Sequence, residues 1–182
     1  MMCRSLWIAS GVAVVVVMAG LLVYGSYISA QYQMEALQTA AHEQWVQLHG
    51  ALRRWAAVSS EVEAAVVPAA KSNPMALDAL ASARKTLAQV RDPKAVAEAS
   101  RAMEEALSAV MAMGMSDAQV KSDAKFEAVR ERLRRMDRQI EQDRQRYNES
   151  LRNYDLFVGE FPNDLWARVA GFEPDRRFFP NF

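Results

Sequence analysis

From Leu6 to Ile28 the chain runs 23 residues without a charged side chain, and Val14-Val15-Val16-Val17 lies near the middle of the run. A helix rises about 1.5 Å per residue, so this segment would reach about 34 Å, enough for a hydrocarbon core of about 30 Å. Trp7 stands near one end and Tyr24 and Tyr27 near the other. Aromatic side chains favour the two bilayer interfaces, so the pattern reads as a transmembrane helix over about residues 6–28. Gly11 and Gly20 are nine apart and do not make a G-x-x-x-G helix-pairing motif.

A cleaved signal peptide is the competing reading, with Arg4 as its charged region and Ile28-Ser29-Ala30 as its cleavage site. The apolar run is long for that role, which favours a retained anchor. Cys3 precedes the run, so it is not a lipobox cysteine; an inert thiol is favoured over an acylated one. Arg4 and the terminal amine flank one end, and the first charge after the run is Glu35. The positive-inside rule then places the N-terminus in the cytoplasm and the remainder outside it.

Basic and acidic side chains balance at 22 each. Nucleic acid demands a net positive footprint, so no nucleic-acid partner is expected. The single cysteine excludes an internal disulfide and a cysteine zinc site. Much of the apolar content is Ala and Val, with only 7 Gly, which favours helix over sheet.

Helical periodicity fills the soluble part. Met34, Leu37, Ala41, Trp45, Leu48, Leu52, Trp55, Ser59, Val62 and Val66 recur in steps of three and four, the spacing of one helix face. This predicts a helix over about 30–67, continuous with the anchor or close to it, broken by Pro68 and Asn73-Pro74. A second helix is predicted over 75–90, with Leu80, Ala83, Leu87 and Val90 inward. Asp92-Pro93 signals the start of a third, over 93–113, with Val96, Ala99, Met103, Leu107 and Val110 inward and Gly114 as its C-cap. Ser116-x-x-Gln119 reads as a capping box opening a long fourth helix over about 117–160. Its buried face is Phe126, Val129, Leu133, Met136, Ile140, Tyr147, Leu151, Tyr154 and Val158. Its solvated faces are expected to carry Arg130 to Arg138, Glu141, Asp143, Arg144 and Arg146. A short helix follows over 163–170, closed by Gly171. No run alternates with period two, so no strand is expected. The fold class is all-α: one transmembrane helix, then an antiparallel bundle of about four helices whose first and last are long.

Catalytic chemistry is hard to find. His42-Glu43-Gln44-Trp45-Val46 begins like H-E-x-x-H but has Val46 at the second histidine, so zinc is not expected. His42 and His49 are two turns apart, about 10 Å, too far to share a metal. Ser59, Ser60 and Ser116 lack the G-x-S-x-G elbow, and neither nucleotide-binding glycine motif occurs. Glu61/Glu63 and Glu104-Glu105 read as solvated carboxylates. The arginines from Arg130 to Arg138, interleaved with Glu131, Asp137 and Glu141, read as a salt-bridged face rather than a lipid or partner contact. Met103, Met111, Met113 and Met115 read as core filler before an adaptable binding surface. No catalytic residue, cofactor or metal is assigned, and the protein is expected not to be an enzyme.

The tail has the most specific pattern: Tyr147-Asn148, Tyr154-Asp155, Phe161-Pro162-Asn163-Asp164, Ala170-Gly171-Phe172 and Phe178-Phe179. Order and spacing resemble the C-terminal signature of the LemA family of bacterial membrane-anchored helical proteins. Trp45 to Arg54, Leu77-Asp78-Ala79 with Ala83-Arg84, and Val120 to Phe126 resemble further family segments. The chain departs from the family at Ala57 to Glu61, where an acidic residue, Leu and Pro-Asn are usual, and at Tyr154-Asp155, where Tyr-Asn is usual. The resemblance implies an N-terminal anchor over 1–30 and a helical bundle domain over 31–182, with no catalytic residues.

Two functions follow as expectations. The first is a single-pass membrane-anchored scaffold or adaptor of the bacterial envelope that binds another envelope protein, with room for homo-oligomers through its long helices. The second is a lipid- or small-ligand-binding or enzymatic domain with its site at the aromatic tail, near Arg168, Arg176 and Arg177. In a structural reading, Phe161, Trp166, Phe172, Phe178 and Phe179 fold back to cover the bundle end, and Tyr147 and Tyr154 lie on one helix face.

Overall fold

The computed structural model describes residues 2–67, 73–175, 177 and 179, with side chains from residue 13 onward. Pro68, Arg176 and Phe178 lie outside the described residues, as do the side chains of Cys3, Arg4 and Trp7. All regular structure among the described residues is helical, with no strand: α1 Met2–Val66, α2 Pro74–Gln89, α3 Pro93–Ser116, α4 Ala118–Lys121, α5 Ala124–Gly159 and α6 Asn163–Ala170.

Six helices stand where about four were expected after the anchor. The anchor and the first soluble helix are one element, α1, with no break at residue 30. The long last helix is divided by its own capping residues. The Asp117 carboxylate accepts from the Gln119 and Val120 N–H groups at 2.8 and 3.2 Å and opens α4. The Asp123 carboxylate accepts from the Lys125 N–H at 2.8 Å and opens α5. An aspartate at each of these positions satisfies amides that an intact helix would have bonded to carbonyls, so the chain restarts twice. The cap is therefore Asp117 and not Ser116, whose hydroxyl donates back to the Met113 carbonyl at 2.7 Å. Asp92 caps α3 as its sequence implies, accepting from Lys94 and Ala95, with Pro93 in the first turn.

Gly114 does not end α3. It lies buried inside that helix, where a Cβ would come within 2.7 Å of the Phe126 ring and 3.1 Å of Val66. The glycine serves close helix packing rather than a left-handed turn. Gly171, by contrast, has φ of 79° and closes α6 as expected.

The described residues form two compact units. The larger comprises Ala41–Leu151 with Arg176–Phe182. Its core holds the predicted stripes: Leu48, Leu52, Val62 and Val66 of α1, Leu80 and Leu87 of α2, Val96, Met103 and Val110 of α3, and Phe126, Leu133 and Ile140 of α5. In this unit α1 and α5 run antiparallel: Trp45 meets Tyr147, and Glu61 pairs with Arg132 at 2.9 Å. Trp55 lies beside Asp137 between these two contacts.

The smaller unit comprises Met1–Ala40 with Arg152–Asp175. Ala30 and Met34 of α1, Tyr154 and Val158 of α5, and Ala167 of α6 make its core. Before that core, Val14 to Tyr24 stand bare, with exposures from 55% at Val23 to 73% at Leu22 among the large apolar residues. The window is long and apolar enough to cross a membrane. Bare apolar surface of this extent is compatible with a single-pass anchor.

Candidate functional site

The tail signature acts as a clamp on the backbone of the last residues. In the larger unit, Asn148 on α5 donates from Nδ2 to the Phe179 carbonyl at 2.6 Å and accepts on Oδ1 from the Phe179 N–H at 2.8 Å. A carboxamide carries both a donor and an acceptor, so it satisfies the two polar groups of one extended residue. Tyr147 donates its hydroxyl to the Arg177 carbonyl at 3.2 Å. Held this way, Phe179 is 1% exposed, its ring against Trp45, which itself meets Tyr147, and the Arg144 guanidinium lies 5.4 Å from its centroid.

The smaller unit repeats the device one heptad on. The Tyr154 hydroxyl donates to the Glu173 carbonyl at 2.9 Å, and Asp155 accepts from the Asp175 N–H at 2.7 Å. A carboxylate oxygen supplies the acceptor for this bond, so Asp155 can stand where Asn is usual. Burial, then the nearby Asp175, Asp155 and Glu173, pushes the Tyr154 phenol up from its ordinary range.

The aromatic residues divide between these roles. Trp166 packs edge-on against Tyr27 with centroids 5.7 Å apart, and Phe172 lies half-buried beside the smaller core. Phe161 covers nothing; it is 81% exposed. Arg168 is exposed and pairs with Asp164 of its own helix at 3.3 Å. The described residues of the tail are thus mostly spent on structure.

An open groove lies elsewhere, wholly within the larger unit, with a volume of about 710 Å³. One wall is the α3 stripe Glu104, Leu107, Ser108, Met111, Ala112 and Met115. The other is the α5 stripe Arg130, Leu133, Arg134, Asp137, Ile140, Glu141 and Arg144, and Trp55 of α1 also lines it. Steps of three and four on both walls are the helical period, so each wall is one continuous face. Leu107, Met111, Met115, Leu133 and Ile140 make an apolar trough with charges of both signs along its edges.

Several features of the groove escaped the sequence. Arg144, expected on a solvated face, is 4% exposed. Its guanidinium binds Glu104 across the groove and approaches Glu141 at 3.8 Å. Asp143 is buried too, bonded by Gln139 at 3.0 Å. Arg130 is half-buried, pairing with Glu127 at 2.7 Å and reaching the Met115 sulfur at 3.0 Å. Other arginines keep to the expected salt-bridged face: Arg132 pairs with Glu61, and Arg135 with Glu131, on exposed surface. The methionines split: Met103 and Met113 are core, whereas Met111 and Met115 line the groove.

Asp137 keeps an exposed side, yet the groove walls desolvate its carboxyl and push its pKa up. The neighbouring Trp55 indole favours the charged form, as do Arg144 and Arg138, while Glu104 opposes it. The Trp55 Nε1 atom is itself buried without closing a hydrogen bond of normal geometry.

His49 is half-buried with its ring stacked on Trp45, 5.3 Å between centroids. Burial, then the cations of Arg53 and Arg91, lowers its pKa. His42 is exposed. Among the described residues no three His, Cys, Asp or Glu side chains gather as metal ligands would.

A comparison of the whole chain with curated proteins finds no match. The LemA family model matches residues 44–180, from the turn before Leu48 through the clamped tail. With three quarters of its length matched, and with the motifs of that match explained by the helices and clamps just described, the chain belongs to the LemA family.

Proposed function

We propose that this protein is a non-enzymatic, single-pass adaptor of the bacterial cell envelope, and that its binding face is the groove between α3 and α5. The groove itself is the observation that carries the reading. A trough with two methionines and flanking charges suits an amphipathic segment of another envelope protein, because thioether side chains repack around varied apolar contacts. Asp137 supports the same use: a carboxyl kept where desolvation disfavours its charge is better accommodated once a basic group faces it. On the charge of Arg4 we place α1 in the inner membrane with the bundle outside the cytoplasm.

A photo-crosslinking residue at Ser108 or Ala112, both exposed on the groove wall, tests the reading in living bacteria. A discrete crosslinked species is expected from these sites and not from exposed Lys85 on α2. Crosslinking no stronger at the groove than at Lys85 would remove the groove as the partner site. A reporter active only outside the cytoplasm, fused after Phe182, tests the orientation.

The second reading, a ligand site at the aromatic tail, has less support, since Phe179 and Asn148 already fill the space that a ligand would take.

A further inference from the structure

Outside the anchor the smaller unit bares Tyr32 on α1, Leu156 on α5 and three apolar residues in and just before α6. Phe161 is 81% exposed, Val169 72% and Leu165 45%. Leu165 and Val169 are four apart on one side of α6, and Phe161 stands two residues before that helix. The opposite side of α6 is spent, with Ala167 buried in the unit's core and Trp166 against Tyr27. This eight-residue helix therefore has two apolar sides, and the core occupies only one. A small unit gains nothing from an uncovered Phe, Leu and Val if water is their only neighbour.

Position indicates the occupant. Tyr27 stands near the end of the apolar run, where an interfacial aromatic ring is expected, and Trp166 packs against it with ring centroids 5.7 Å apart. The start of α6 thus stands within one side chain of the place where α1 leaves the hydrocarbon. Between Phe161 and Ala167 the one charged side chain is Asp164, and Arg168 pairs with it at 3.3 Å.

We propose that the turn between α5 and α6, with the bare side of α6, rests in the interfacial zone of the same bilayer that α1 crosses, as a second membrane contact. Phe161 and Leu165 are its deepest residues. Arg168, paired with Asp164 at 3.3 Å, lies on the headgroup side. The proposal rests on α1 being the anchor.

The test uses the full-length chain with Cys3→Ser, carrying a single environment-sensitive fluorophore on a cysteine placed at Phe161, Leu165, Arg152 or Leu21. The protein is reconstituted into phosphatidylcholine–phosphatidylglycerol vesicles with and without nitroxide-labelled lipid. Labels at 161 and 165 are expected to be quenched several-fold more than the label at Arg152, an exposed α5 position of the same unit. Quenching at 161 and 165 no greater than at 152, with the label at 21 strongly quenched, overturns the proposal and leaves the anchor intact. A label at 21 that escapes quenching overturns the anchor reading and the proposal with it. Changes at 161 that follow protein density rather than the quencher assign this surface to a second copy of the chain, and also overturn it.

Discussion

Asn148 bonds both backbone polar groups of Phe179 with one carboxamide, at 2.6 Å to the carbonyl and 2.8 Å from the N–H. Removing it leaves two polar groups beside a ring that is 1% exposed. We expect Asn148→Ala to lower the unfolding free energy by about 2 kcal/mol, the scale for orphaning buried hydrogen-bonding groups. Denaturant titration of the full chain in detergent measures this. A change under about 0.5 kcal/mol, the scale of an ordinary surface substitution, would mean the tail is not clamped.

Gly114 offers a sharper contrast with helix propensity. In an exposed helix, Gly→Ala gains up to about 1 kcal/mol. Here the new methyl would sit 2.7 Å from the Phe126 ring and 3.1 Å from Val66. Gly114→Ala should therefore destabilise by about 1–3 kcal/mol through overpacking. The double variant with Phe126→Leu should recover part of that loss, and additive losses would disprove the steric account.

His49 sets a pH dependence of known sign. Its folded pKa lies below the ordinary value near 6.5, so the unfolded chain binds the proton more tightly. The stability this confers is fully present above about pH 6.5 and is lost as pH falls towards the folded value. Melting temperature should drop between about pH 7 and 5.5 in the native protein. His49→Gln should flatten the curve in that window, while the exposed His42→Gln should leave it unchanged.

Arg144 joins the groove to the tail clamp, binding Glu104 on one side and covering Phe179 on the other. Arg144→Ala should cost about 2 kcal/mol, from a charge-assisted bond and lost packing together. Arg144→Lys should recover only part of it, because an ammonium cannot bind Glu104 in the plane and cover a ring at once. Full recovery by lysine would reduce the site to a simple charge pair.

Most of the helices are legible from the order of the residues, because period and caps are local. Stripes such as Leu48, Leu52, Trp55 and Val62 reach the core as their spacing implies. Asp92-Pro93 starts a helix because both residues act on amides within three positions. The misreadings are tertiary or competitive. Gly114 looks like a terminator until Phe126, distant in sequence, lies against it. Ser116 and Asp117 compete for one cap, and the carboxylate holds the amides that start α4. The groove was nearly legible. The α5 stripe steps by three and four to Ile140 and then jumps seven to Tyr147, passing over Asp143 and Arg144. A charged pair in a gap of a buried stripe marks where two charges are enclosed. Only the facing Glu104, on another helix, says why they can be.

The contact between Trp45 and Phe179 also orders events in time. In synthesis Trp45 comes soon after the apolar segment, and Phe179 comes only after α1 to α6 have been made. Until then the Trp45 ring lacks the cover of Phe179, and the polar edge of Asn148 has no backbone to hold. The bundle therefore stays open until the tail is made, and the fastening of Phe179 is a late step of folding. A chain cut ahead of Phe179 would keep its helices yet lose the fastening that shields Trp45, and so be a ready substrate for proteases.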